Sequence, residues 1–170
     1  MIQKPEKIQV TIKYKDNQQQ FTAEPQEAWL LVNQFFKDFI PSFEIAQKLW
    51  LSVDLQRLAK DLAGIAAFSS DGVSLLVPKN KLTDNEALSI WLTAYYLGSS
   101  LGLVDIDALS KDELQVKLGK TSKITSTRLG ELGKIGVVQK TVEEKFRITA
   151  FGVTQAQREV IPKIKQKLKL

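Results

Sequence analysis

Cations and hydroxyls crowd one short stretch, Lys120-Thr121-Ser122-Lys123, and the turn after it, Ser126-Thr127-Arg128. At the start of a helix these side chains suit phosphate oxygens. Ammonium and guanidinium groups give charge-assisted hydrogen bonds, hydroxyls give neutral ones, and the free amides and dipole of the helix add a positive field. The blander alternative is that Thr121 or Ser122 merely caps the helix while Lys123 and Arg128 are solvated. The surrounding charge favours a polyanion: residues 111–170 hold 14 Lys and Arg against 6 Asp and Glu, net +8, whereas residues 1–110 hold 10 against 13, net −3. Basic charge gathered in one segment points to nucleic acid more than the formal total of +5 does.

Other chemistry is narrowed by what is missing. The chain has no cysteine and no histidine, so a disulfide framework, a nitrogen or sulfur zinc site, a Ser-His-Asp triad and a histidine general base are all excluded. Carboxylates remain available to a metal. No P-loop, GxGxxG, GxSxG or SxxK arrangement occurs, and the expectation is a protein that is not an enzyme and carries no cofactor. The opening MIQKPEKIQV lacks the apolar run of a secretory signal, and no stretch approaches the roughly 18 apolar residues of a membrane span. The expected setting is cytoplasmic, with no membrane partner. A composition of 44% hydrophobic and 25% charged residues is that of an ordinary globular chain.

The elements that must position these groups are marked by local signals. Ile8, Val10, Ile12 and Tyr14 alternate with polar residues, which predicts a half-buried strand, and Lys15-Asp16-Asn17 returns the chain through Gln18–Thr22 as a hairpin. Pro25 opens a helix expected to reach Ile40, with Pro41 after it. Ser42 is expected to cap a short helix carrying Phe43, Ile45, Ala46 and Leu49, and Asp54 to cap Leu55–Leu62. IAAFSSDGVSLLVP reads as a second hairpin about Ser69-Ser70-Asp71-Gly72, and Pro78-Lys79-Asn80-Lys81 as a boundary between halves. Thr83 with Glu86 and Ser110 with Glu113 are capping boxes. The first starts a helix apolar nearly all round, the second starts Lys111–Leu118, closed by Gly119. A third helix runs over Thr121–Leu132, strands follow over Val137–Thr141 and Lys145–Thr149, and a last helix covers Val153–Leu168, kinked or broken near Ile161 by Pro162.

The order helix, helix, short turn, helix, hairpin, helix, together with LSKDELQVKLGKTSKITSTRLGELGKIGVVQK, resembles the winged-helix transcription regulators, with the MarR-like and ArsR-like families as examples. Ser110, Glu113, Leu114, Leu118 and Gly119 match the first part of their pattern, Leu129, Leu132, Gly136, Val137 and Val138 the second, and Ile148, Thr149 and Gly152 the entry to the final helix. The resemblance covers about residues 83–168. Over its full length the chain is also similar to archaeal winged-helix proteins. It departs from the pattern at Thr125, where many relatives have valine or isoleucine, and at Gly130 and Gly133, which are unusual inside a recognition helix.

The resemblance implies an α+β fold: an N-terminal β-hairpin and helix domain, residues 1–80, packed on a C-terminal winged helix-turn-helix, residues 81–170. It implies binding of double-stranded DNA in transcription control, with Lys120, Thr121, Ser122, Lys123, Ser126, Thr127 and Arg128 at the major groove and Lys140, Lys145 and Arg147 of the wing on the backbone beside it. Glu143-Glu144 at the wing tip argues against deep insertion. A homodimer through the N-terminal helices or the last helix would match paired half-sites. The rival expectation is a winged helix used as a protein-interaction module in a larger assembly. A third is a sensor whose aromatic residues Trp29, Phe35, Phe36, Phe39, Trp91, Tyr95 and Tyr96 line a pocket, although their helical spacing favours core packing.

Overall fold

A computed structural model describes residues 7–39 and 51–168. The fold is mixed α+β, helices with small antiparallel strand pairs, and the chain divides into two compact units, residues 1–50 and 51–170.

In the first unit, β1 (Ile8–Tyr14) pairs with β2 (Asn17–Ala23) in a register running from Ile8↔Ala23 to Tyr14↔Asn17. The tight turn is Lys15-Asp16, with Lys15 in the left-handed region at φ 54°, so Asn17 belongs to the returning strand. Helix α1 (Pro25–Phe39) lies against both strands and buries Ala28 and Phe35, with Phe36 packed edge-on to Phe35 at 5.7 Å. Core packing does not extend to Trp29: it is 66% exposed, and neighbouring Leu30 is 68% exposed. The short helix expected after Ser42 and the side chain of Phe39 lie outside the described residues.

The second unit is built around one helix. Asp54 accepts from the Arg57 amide (3.0 Å) and starts α2 (Leu55–Leu62). Strands β3 (Ala66–Ser69) and β4 (Gly72–Leu75) then form the expected hairpin. Its ring Phe68 rests on helix α3 (Asp84–Ser100) where that helix has glycine: a Cβ on Gly98 would lie 2.6 Å from Phe68 Cε1. This contact is why the polar segment at residues 78–81 is no domain boundary. It forms a single 3₁₀ turn, Lys79–Lys81, inside a unit that starts at Leu51 rather than residue 81. The Thr83–Glu86 capping box is present. Leu88, Ile90, Leu92, Ala94 and Leu97 of α3 are all buried, as expected of a helix apolar nearly all round. Thr93, also buried, donates to the Ser89 carbonyl (2.7 Å), so its hydroxyl is satisfied.

The elements that frame the candidate surface follow. Helix α4 (Lys111–Leu118) opens with the Ser110–Glu113 box and closes on Gly119 in the left-handed conformation, φ 68°. Glycine suits that position because a side chain there is strained. A turn of residues 119–121 leads to α5 (Ser122–Lys134). Thr125 is fully buried, its hydroxyl donating to the Thr121 carbonyl (3.1 Å), while Ile124 is half-exposed. Threonine therefore takes the inward position of α5, and its burial beside half-exposed Ile124 shows which side of the helix faces the core.

Strands β5 (Val138–Lys140) and β6 (Phe146–Ile148) are shorter than the expected Val137–Thr141 and Lys145–Thr149. They gain a neighbour that no sequence pattern marked: Leu109, just before α4, exchanges two backbone hydrogen bonds with Phe146 (2.9 and 2.7 Å). The last helix starts earlier than expected, at α6 (Ala150–Gln155), capped by Thr149. It then passes through a π turn, Ala156–Val160, into α7 (Ile161–Leu168). Pro162 does not break it. The wide turn, in which the Ile161 amide reaches back to Ala156, absorbs the missing donor and the ring just ahead of the proline. Lys167–Glu86 (3.1 Å) and Gln157–Asp61 (2.7 Å) tie this helix to α3 and α2.

Candidate nucleic-acid interface

Of the residues singled out by sequence, the structure sorts those in and around α5 into two groups. Thr121 is the N-cap and accepts from the Ile124 amide (3.4 Å), so part of its role is structural. Ser122, Lys123, Ser126 and Thr127 are exposed on the first two turns of α5. Thr127 donates to the Lys123 carbonyl (2.9 Å), while among the described residues Lys123 has no carboxylate within ion-pair distance. Lys123 is the second residue of the helix, at its positive end.

Lys120 and Arg128 belong to a different arrangement. Both converge on Asp84 in the first turn of α3, at 3.9 and 3.5 Å. Arg128 also forks onto both oxygens of Glu131 (3.0 Å each), and Glu131 accepts from Asn85 (3.0 Å). These contacts hold the Glu131 carboxyl below its ordinary pKa, through the Asn85 and Arg128 hydrogen bonds before any longer-range charge. The cluster fastens α5 to α3. All four charged groups are partly exposed, so each pair is weak and can exchange for another partner.

The hairpin cations are paired too. Lys140 contacts Glu144, Lys145 meets Glu143 (3.2 Å), and Arg147 meets Asp107 (3.6 Å). Arg147 also faces Gln139 across the ladder. The tip therefore neutralises its own cations, and Glu144 adopts φ 63° to close the turn. Between α5 and this hairpin runs a furrow of about 300 Å³ bordered by Ser126, Gly130, Gly133 and Lys140. A Cβ on Gly130 would meet nothing within 4 Å. No contact within the fold requires glycine there.

Sequence reasoning missed the acids. Arg128 with Glu131 is an i, i+3 pair and was open to reading. Asp84 and Asp107 reach their partners across 44 and 40 positions of sequence and left no local mark. No helix among the described residues is long and apolar enough to cross a membrane. Comparison with protein-family models, curated proteins and solved structures gives no match.

Proposed function

We propose that residues 84–168 form a winged helix that binds double-stranded DNA in transcription control, with the N-terminal turns of α5 at the major groove and β5–β6 beside it as the wing. The observation that carries this reading is the exposed group Ser122, Lys123, Ser126 and Thr127 at the positive end of α5, with no carboxylate among the described residues within ion-pair distance of Lys123. Helix, residues 119–121 as the turn, helix, hairpin and final helix follow in the order such domains require. The bridge of Leu109 with Phe146 joins the residue before α4 to the hairpin. Affinity rests chiefly on phosphates and falls with salt. Fluorescence anisotropy with a mixed-sequence duplex tests this: binding that weakens in Lys123→Ala supports it, and no binding at low salt removes it.

A second reading, the protein-interaction module, is favoured by one specific observation. Lys120, Arg128, Lys140, Lys145 and Arg147 each have an acid of the same chain as partner, giving a surface of mixed sign. Beside it Val116 and Ile124 are exposed. Duplex binding indifferent to Lys123, with capture of a defined protein lost in Val116→Asp, decides for that reading.

A further inference from the structure

Elsewhere on the second unit, a cleft of about 470 Å³ opens between β4 with the turn after it, the first turn of α3 and the end of α4. Its volume is within the range of small-molecule sites, about 300–1,000 Å³. Its inner wall is apolar, with Val77, Leu82 and a partly buried Trp91. Three ammonium groups stand on its rim, Lys79, Lys117 and Lys120, against one carboxylate, Asp84.

These cations are not equivalent. Asp84 is already shared between Lys120 and Arg128. Lys117 lies 4.3 Å from the centre of the Trp91 ring and 5.2 Å from that of Tyr95, a cation held over aromatic faces. The carboxylate one turn before it, Glu113, is committed to the Ser110 cap at 2.7 Å. Lys79 extends from an exposed turn to within 3.6 Å of where a Cβ on Gly119 would stand. Among the described residues, neither Lys79 nor Lys117 has an acid within ion-pair distance, and both line one concave surface. The first turn of α3, a helix of 17 residues, brings its positive end to the same rim.

We infer that this cleft binds a nucleotide unit, its phosphate held by Lys79, Lys117 and Lys120 and its base set against the apolar wall of Leu75, Val77 and Leu82. An inorganic anion would leave the apolar wall unused, and an uncharged ring would leave the ammonium groups unpaired. The same unit occurs as a free mononucleotide or as the 5′-phosphorylated end of a single strand. The inference does not rest on the duplex-binding reading: Lys79 and Lys117 lie off the α5 and hairpin surface, and Lys120 is the one cation that both readings use.

Calorimetric titration of the full chain with AMP, adenosine, inorganic phosphate and a short 5′-phosphorylated single strand tests it. AMP is expected to bind more tightly than adenosine or phosphate, and Lys79→Ala with Lys117→Ala to weaken it about tenfold or more. Lys79→Glu, at an exposed position, gives the same direction should the double variant fold poorly. A single strand that binds more tightly than AMP assigns the strand end as source, and the reverse order assigns the free nucleotide. Phosphate binding as tightly as AMP, no AMP binding, or binding unchanged in Lys79→Glu overturns the inference.

Discussion

Gly130→Ala separates the needs of the fold from those of a partner. Glycine inside a helix is less favourable than alanine by about 1 kcal/mol, and the added methyl meets no atom of the chain within 4 Å. The substitution is therefore expected to stabilise the second unit by about 1 kcal/mol, raising its Tm by roughly 3–6 °C for a cooperative unit of this size. Gly130 follows Ser126 by one turn and Lys123 by two, so it lies on the side of α5 proposed to approach DNA. There the methyl occupies space beside the furrow, and duplex affinity is expected to fall by about threefold to tenfold. Differential scanning calorimetry reads the first effect and fluorescence anisotropy the second. A lower Tm would refute the exposure argument. A higher Tm with unchanged affinity would show that this side of the helix meets no DNA backbone.

Other outcomes follow from the same contacts. Asp84→Asn releases Lys120 and Arg128 from their shared acid, and duplex affinity is expected to rise about threefold; anisotropy showing a loss would contradict the proposed surface. Ser110→Ala removes the cap of α4 and is expected to lower stability by about 1 kcal/mol in denaturant melts. Hydrogen bonds from the Ser110 side chain and amide lower the pKa of Glu113, and contacts with Thr83 and Lys167 lower that of Glu86 although burial alone would raise it. Both carboxyls have folded-state values below their unfolded ones. Their stabilisation is thus complete at neutral pH and is lost as pH falls below the ordinary carboxylate value of about 4.3. Melts from pH 7 to 3 should show that loss, and a smaller one in Ser110→Ala. Gly98→Ala drives a methyl to 2.6 Å from Phe68 and 2.9 Å from Val104. It should cost about 1–3 kcal/mol by overpacking, and a melt showing higher stability would refute that packing.

What the sequence revealed was local. The two S/T-x-x-E boxes and Asp54 fixed three helix starts, because caps act within one turn. Gly119 marked the end of α4, since its left-handed conformation is a property of one residue. Pro162 announced an irregularity, though not that a π turn would absorb it. What stayed hidden was tertiary. The bridge of Leu109 to Phe146 involves one residue pair and has no periodicity to read. Pro78–Lys81 has linker composition, yet Phe68 on Gly98 holds both sides of it in one unit. The candidate cations could be listed, but Asp84 and Asp107 decide how free they are, and those acids arrive only through folding. Trp29 shows the opposite error: helical spacing favoured burial, and the residue is largely exposed.

The most direct test of the account is the salt dependence of duplex affinity in the wild type and in Lys123→Ala. If Lys123 holds a phosphate, log affinity falls linearly with log salt in both proteins and the slope of the variant is shallower by about one. Identical slopes, or no duplex affinity at low salt in the wild type, would contradict DNA binding through α5.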